Sequence, residues 1–433
     1  MTRRVLCVSP HFPPDSTAAT HRLRLLAPHL ASHGWEPTIL TVDPRDYDGR
    51  LDPALARSVP PGVRVVRARA WPAALSRRFG FGDLGMRAFR GLWRSASELL
   101  SAERFDAVFI TIYPTYPALL GPMLKRRFNV AFVLDYQDPW VGEWGRSVGP
   151  GTNAHPDLRS RASRLVATTL EPMALKAADG VTAVSKATYE QALERTPAAM
   201  PRALAELPIG WDRRDLEFLN SRSTSTFSGD DGLIHVSYVG TLLPAGFGTL
   251  RAVFAAVAKL RAIDPDTFRL RLHFFGTSNQ RTAEAPARAL PVAAEFGLLD
   301  VVTEHAPRLD YFDALRVLRD STAVLLIGSS ERHYTPSKVF PALVAEKPVL
   351  AVMHEASNAS DLLKRLGRAP SIRLVTYDDA NAGARVDAIA AELAALVEMP
   401  RYSADAVNGS MLEPTSACVL ARRLAGVFTE CLS

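Results

Sequence analysis

The sequence predicts an α/β protein built as two doubly wound domains facing each other across a cleft. Three observations carry that expectation. The chain has 433 residues, more than one hydrophobic core ordinarily holds. Short apolar strand-like runs alternate with helical ones along its whole length. The alternation breaks once, at a stretch rich in Ser, Thr, Gly and Asp, and then restarts.

In the first half the runs are VLCVS at 5–9, TILTV at 38–42, VRVV at 63–66, AVFITI at 107–112, AFVLDY at 131–136 and VTAVS at 181–185. Each is short and apolar, as expected of strands buried in a parallel sheet. A helix is expected over about residues 17–33. RSTSTFSGDDG at 222–232 has the composition of a linker. The alternation resumes with IHVSYVG at 234–240, FRLRLHFFG at 268–276, AVLLIG at 323–328, PVLAV at 348–352 and SIRLV at 371–375. The boundaries therefore read as a first domain over 1–211, a linker over 212–232 and a second domain over 233–410.

Composition narrows the class. Hydrophobic residues make up 47% and charged residues 22%, the balance of a soluble globular protein. No apolar stretch approaches the roughly 18 residues of a membrane span. MTRRVLCVS passes directly into a strand-like run and leaves no room for a signal peptide, so a cytoplasmic protein is expected. Cys7, Cys418 and Cys431 lie far apart, with no metal-ligand spacing, which fits a reducing compartment. The net charge of +6 is unevenly spread. Residues 64–94 hold Arg64, Arg67, Arg69, Arg77, Arg78, Arg87, Arg90 and Arg94 against the single acid Asp83, with Trp71, Phe79, Phe81, Phe89 and Trp93 among them. Such a stretch suits either peripheral contact with an anionic membrane face or an ordinary basic, partly buried surface. No nucleic-acid motif accompanies it, and no nucleic-acid partner is expected.

Ligands of doubly wound sheets bind at the carboxyl ends of the strands, so the candidate residues follow the strands. After VLCVS comes PHFPPDSTAATHR, where Ser16, Thr17 and their small neighbours can let a ligand approach backbone N–H groups or can simply cap a helix. After AFVLDY, Asp135 and Asp138 end an apolar strand and are candidates for orienting a polar ligand or the loop itself. Trp140 beside them is a candidate for stacking on a sugar. In the second domain YVGTLLPAGFGTL places Gly240, Thr241, Gly246 and Gly248 between a strand and a helix, without the dinucleotide fingerprint. HFFGTSN makes another strand-to-glycine exit at Gly276.

The most informative stretch is YTPSKVFPALVAEKPVLAV at 334–352. Thr335 suits the N-cap and Pro336 the first helical position, and Val339, Phe340, Leu343 and Val344 share one helical face. Pro348 stops the helix before a buried strand. The unpaired N–H groups at such a helix start, with Ser337 and Lys338 beside them, form either a capped surface helix or an anion site.

With these residues in view, the chain resembles the retaining, nucleotide-sugar-dependent glycosyltransferases of the GT-B fold, the family 4-like group that assembles bacterial surface polysaccharides. HFPPDSTAATHRLRLLAPHLASHGWEPTILT is similar to that group's opening loop, helix and strand. LDYQDPW is similar to its Asp-containing segment, and YTPSKVFPALVAEKPVLAV to its donor-site helix and strand. The resemblance implies two Rossmann-like domains, with the nucleotide sugar on the second and a glycan or lipid-linked glycan acceptor on the first. It implies a closing helix over 411–433 that packs back on the first domain, and neither cofactor nor bound metal. For donor binding it points to Gly240, Thr241, Gly276, Glu331, His333, Tyr334, Thr335, Ser337 and Lys338; for the acceptor, to Ser16, Thr17, Asp135 and Trp140.

There are departures. The basic pair usual after the glycine at Gly240 is absent, with Thr241 and then Pro244, Ala245 and Gly246 nearby. A paired glutamate is replaced by Pro341, and the glycine before the Lys-Pro pair is Glu346. Diphosphate charge would then rest on Lys338, the helix start and an arginine such as Arg281. Transfer needs charge stabilisation on the leaving diphosphate and a positioned acceptor hydroxyl. Lys338 is the candidate for the first role, and Asp138 or His21 for the second. Alternatives are a sugar-nucleotide epimerase of the same fold and a catalytically silent sugar-nucleotide-binding subunit. An NAD-dependent oxidoreductase lacks its fingerprint here.

Overall fold

A computed structural model of the chain describes residues 2–49, 51–78, 82–141, 158–220, 226–227, 231–263, 265, 268–278, 280–329, 339–378 and 381–433. It forms two compact units, Met1–Asp212 together with Thr415–Ser433, and Arg213–Pro414.

The first unit is built on seven strands: β1 (Arg3–Val8), β2 (Trp35–Val42), β3 (Arg64–Ala68), β4 (Ala107–Thr111), β5 (Ala131–Tyr136), β6 (Gly180–Ala183) and β7 (Ala203–Glu206). They pair in the order β3-β2-β1-β4-β5-β6-β7, every ladder parallel. Val5, Leu6, Cys7 and Val8 of the central strand are all fully buried, as a strand covered on both faces requires. Helices fill the crossovers. Asp83 caps helix Leu84–Ala102 by accepting from the Met86 N–H, and Ala88, Leu92, Ala96 and Leu99 form its buried stripe. The strand order reverses between β1 and β4, where a doubly wound sheet opens its ligand crevice.

The last helix, Ala417–Glu430, belongs to this unit. Ser416 caps it, and Leu420, Leu424 and Phe428 are buried along one side. Phe428 meets Trp35 and Phe109 edge-on, with ring centroids 5.1 and 5.6 Å away. The chain leaves and re-enters the unit side by side, since the Ala417 N–H donates to the Trp211 carbonyl at 2.8 Å.

The second unit carries β8 (Ile234–Val239), β9 (Leu270–Phe275), β10 (Val302–His305), β11 (Ala323–Ile327), β12 (Val349–His354) and β13 (Ile372–Tyr377). Their order, β10-β9-β8-β11-β12-β13, repeats the doubly wound pattern, with the reversal between β8 and β11. The run expected to be a linker from 212 onward is partly structured: helix Arg213–Asn220 packs on helix Tyr311–Asp320. Phe218 and Phe312 meet at a tilt of 39° with centroids 4.4 Å apart, Leu219 is fully buried, and the Tyr311 hydroxyl donates to Asp215 at 2.7 Å. Its polar composition hid an amphipathic turn. Helix Val339–Val344 buries Val339, Phe340, Ala342 and Leu343, whereas Val344, expected on that face, is half-buried.

Candidate functional site

In the first unit the loop after β1 is organised around one carboxylate. Asp15 accepts from the hydroxyls of Thr17 and Thr20 at 2.5 and 2.9 Å and lies 2.8 Å from His11 Nδ1. Burial alone would raise the Asp15 carboxyl, but His11 and the two threonine hydroxyls outweigh it and bring it down to about 2. Thr111 at the end of β4 donates to Ser9, which donates to the His11 carbonyl. The Tyr47 hydroxyl donates to the Pro10 carbonyl at 2.9 Å. The His11 ring lies between Tyr47, 6.2 Å away and nearly parallel, and Tyr113, 6.0 Å away. Both the Pro13-Pro14 and Tyr113-Pro114 peptide bonds are cis.

The expected acceptor residues fall differently around this loop. Ser16 is buried, and Thr17 is half-buried as part of the Asp15 network. His21 is half-buried at the start of the next helix, where its Nδ1 accepts from Arg24 Nε at 3.2 Å. Asp138 is exposed by surface area, yet the protein around it desolvates its carboxyl enough to raise its pKa. Asp135 is a correction. It is fully buried, 2.9 Å from the equally buried Arg22, and accepts from Thr182 at 2.8 Å, so it ties β5 to the helix Thr20–Leu30 instead of meeting a ligand. Trp140 is a second correction, since it sits in the hydrophobic core of this unit with only 3% of its surface open and offers no stacking face. Sequence reasoning missed His11, Asp15, Tyr47 and Tyr113. The one available signal was the four-residue spacing of His11 and Asp15 in PHFPPDS.

In the second unit the strand ends are narrow and made by glycine. Gly240 donates to the Phe275 carbonyl at 2.8 Å, and Leu242 to the Thr277 carbonyl at 2.9 Å, so the turn after β8 is pinned to the end of β9. The Thr241 carbonyl accepts from the Tyr238 hydroxyl. Gly276 has φ +67°, and a Cβ there would stand 3.9 Å from the Gly240 Cα. At the end of β11, Gly328 packs directly on Val352 and Met353 of β12. Gly240, Gly276 and Gly328 thus stand at the carboxyl ends of three adjacent strands, β8, β9 and β11. Arg281 is paired with Asp310 at 3.1 Å. Glu331, His333, Tyr334, Thr335, Ser337 and Lys338 lie outside the described residues.

The basic stretch also resolves. Arg64 pairs with Glu103, Arg69 with Asp46 and Arg94 with Glu98. Arg87 is buried, donating to the Trp71 carbonyl and to Asp48. Trp71 itself is 58% exposed. Among the described residues no helix is long and apolar enough to cross a membrane.

Two doubly wound parallel-sheet units define an α/β protein of the GT-B class. Residues 17–206 match the family described as "Glycosyl transferase 4-like domain", so the chain is of glycosyltransferase type. No curated protein sequence matches the chain. Among solved structures it is similar to a glycosyltransferase from Rickettsia africae, at 12% identity and TM-score 0.61 over 100% of this chain and 99% of that one. It is similar to a UDP-forming α,α-trehalose-phosphate synthase from Burkholderia xenovorans, at 12% identity and TM-score 0.59 over 99% of each chain. HepE from Anabaena, solved with UDP and glucose, is similar at 14% identity and TM-score 0.52 over 99% of this chain and 97% of that one. At these identities the likenesses establish the fold.

Proposed function

We propose that the protein transfers a glycosyl group from a nucleoside-diphosphate sugar bound by the second unit to a glycan or lipid-linked glycan bound by the first, in bacterial surface polysaccharide synthesis. The observation that carries this reading is the glycosyl transferase 4-like domain over 17–206. The glycines at the strand ends of the second unit support it, and the UDP and UDP-glucose held by HepE make a uridine nucleotide the first donor to try. The leaving diphosphate would be neutralised by Lys338 and the N–H groups near Ser337, with no metal or cofactor taking part. The resemblance further implies retention at the anomeric carbon, which NMR of the product decides. With either outcome the acceptor hydroxyl must give up its proton.

The test is thermal unfolding with UDP, GDP, dTDP and NAD, followed by transfer assays with the sugar nucleotide of the base that stabilises. A nucleotide at about 100 times its dissociation constant should stabilise the native state by roughly 2.7 kcal/mol. If none does, the replacements at Thr241 and Pro341 favour the silent-subunit reading; conversion without acceptor would favour an epimerase. Lys338→Ala leaving turnover unchanged would remove the leaving-group role. Peripheral contact with an anionic membrane on the cytoplasmic side is proposed through exposed Trp71, Arg67 and Arg90, and vesicle flotation tests it.

A further inference from the structure

We propose that unit two carries, at the edge of its sheet opposite the strand ends described above, a binding site for a small soluble phosphate ester that also bears a hydroxyl. The site goes beyond the glycosyl-transfer reading and does not rest on it. Helix Asn358–Leu366 runs from the end of β12 back toward the start of β13 at Ile372, so its last turn lies at the amino ends of the strands. The crevice of a doubly wound sheet lies at the carboxyl ends instead. At the amino edge Lys364, Arg365, Arg368, Asp405 and Asn408 line a surface cavity of about 470 Å³, a volume within the range of small-molecule sites.

Backbone fixes the floor of this cavity. The segment 403–408 crosses residues 366–371, where the Asn408 N–H donates to the Leu366 carbonyl at 2.6 Å and the Arg368 N–H to the Ala406 carbonyl at 3.1 Å. The Ser371 hydroxyl donates to the Ser403 carbonyl and accepts from the Ser403 N–H, both at 2.7 Å. Gly367 sits under the crossing, since a Cβ there would collide with the Ala406 carbonyl oxygen. The cations are thus mounted on chain that is held in place before any ligand arrives.

Among the described residues Lys364, Arg365 and Arg368 have no ion-pair partner, and Asp405 on the same cavity pairs with none of them. A helix end attracts cations, but it carries only about half an elementary negative charge against their three positive ones. Its carbonyls are also taken: Leu363 accepts from the Gly367 N–H at 3.3 Å, Leu366 from Asn408, and Asp361 from Arg365 Nε at 3.2 Å. The Arg365 Nη groups remain as donors. Asn408 Oδ1 accepts from the Ser410 hydroxyl, which leaves its amide N–H groups to donate as well. Two guanidinium forks, an ammonium and an amide match the several oxygens of a phosphate. Asp405 only accepts, so it disfavours a bare oxyanion and suits a hydroxyl beside the phosphate.

Calorimetric titration of the full chain at low salt with glycerol 1-phosphate, inorganic phosphate and glycerol tests this, with ligand-observed saturation-transfer NMR as a second readout. The expected result is a single site for glycerol 1-phosphate, weaker binding of inorganic phosphate and none of glycerol. The double variant Arg365→Gln, Arg368→Gln should lower the affinity by about tenfold or more, and Asp405→Asn should narrow the preference for glycerol 1-phosphate over inorganic phosphate. All three side chains are exposed, so these variants should keep the melting temperature of the wild type. No signal in either readout at millimolar glycerol 1-phosphate overturns the site. Binding that the double variant retains within about threefold, or that UDP competes away, overturns it too. A chain that takes up phosphatidylglycerol vesicles through these arginines but ignores glycerol 1-phosphate overturns the soluble ligand and gives the cavity to a membrane surface. Failure of the nucleotide screen alters none of these readouts, so the transfer reading and this site stand or fall separately.

Discussion

Arg22 and Asp135 face each other across 2.9 Å with neither side chain open to solvent. The pair fastens the first helix of unit one to the end of β5, and Arg22 also donates to the Pro208 carbonyl. Burial pushes the Asp135 carboxyl up, and Arg22 and Thr182 offset that only in part, so the pair is costly as well as cohesive. Removing one partner leaves the other charge buried alone. Asp135→Ala should therefore destabilise unit one by about 3–5 kcal/mol in urea unfolding, and the apolar double variant Arg22→Met, Asp135→Leu should recover much of that loss. A single variant that costs less than about 1 kcal/mol would show that water or a rearranged loop satisfies Arg22.

Glu346 ends helix Val339–Val344 with φ +55°, a left-handed conformation that a β-carbon disfavours. It is also the position where the resembled family carries glycine. Glu346→Gly should relieve the backbone strain, offset in part by the freer unfolded chain, for a net gain of roughly 0.5–1 kcal/mol. Differential scanning calorimetry of the two proteins checks the sign, and a lower melting temperature for the glycine variant would mean that the Glu346 side chain contributes more than its backbone costs.

The architecture was legible wherever strands are buried on both faces, because such strands must be continuous apolar runs. β1, β4, β5, β11 and β12 were all visible in that way. The edge strands β7 and β10 were not: ALAE and VTEH alternate buried and open positions, pair on one side only and carry no such run. Sites were harder than strands. Asp135 looked like a ligand group because its partner Arg22 lies far away in sequence, and Trp140 looked like a stacking platform because its burial depends on the whole core. His11 and Asp15 were in plain sight, but only the folded loop after β1 brings those side chains together.

His273 supplies a pH dependence of known sign. Its Nε2 lies 2.9 Å from His235 Nδ1 and its Nδ1 2.7 Å from the Thr303 hydroxyl. Burial, then the neighbouring His235, lowers its pKa from the usual 6.5 to about 4. The folded imidazole thus stays neutral where the unfolded one charges. Its contribution is complete above about 6.5 and is lost as pH falls toward 4, at no more than about 1.4 kcal/mol per pH unit. Unit two should lose stability over that window, and His273→Asn should flatten the curve. Equal slopes for the two proteins, in denaturant titrations at pH 7, 6, 5 and 4.5, would assign the loss to other groups.

Gly328 tests whether the end of β11 is a binding element or only a turn. A Cβ there would stand 2.9 Å from the Met353 Cα and the Val352 carbonyl oxygen, both backbone atoms of β12 that cannot swing aside. Gly328→Ala must therefore push the two strand ends apart, at a cost of about 1–3 kcal/mol. The strand leads directly into the stretch holding Ser337 and Lys338, so the displacement should also weaken nucleotide binding. Gly248→Ala is the control: nothing lies within 4 Å of its Cβ position in helix Phe247–Ile263, and alanine suits a helix, so stability should hold or rise by up to about 1 kcal/mol. Thermal unfolding with and without UDP separates the two effects. Loss of the UDP shift in Gly328→Ala, with the shift intact in Gly248→Ala, places the donor diphosphate against β11; an equal shift in both moves it elsewhere on the sheet edge.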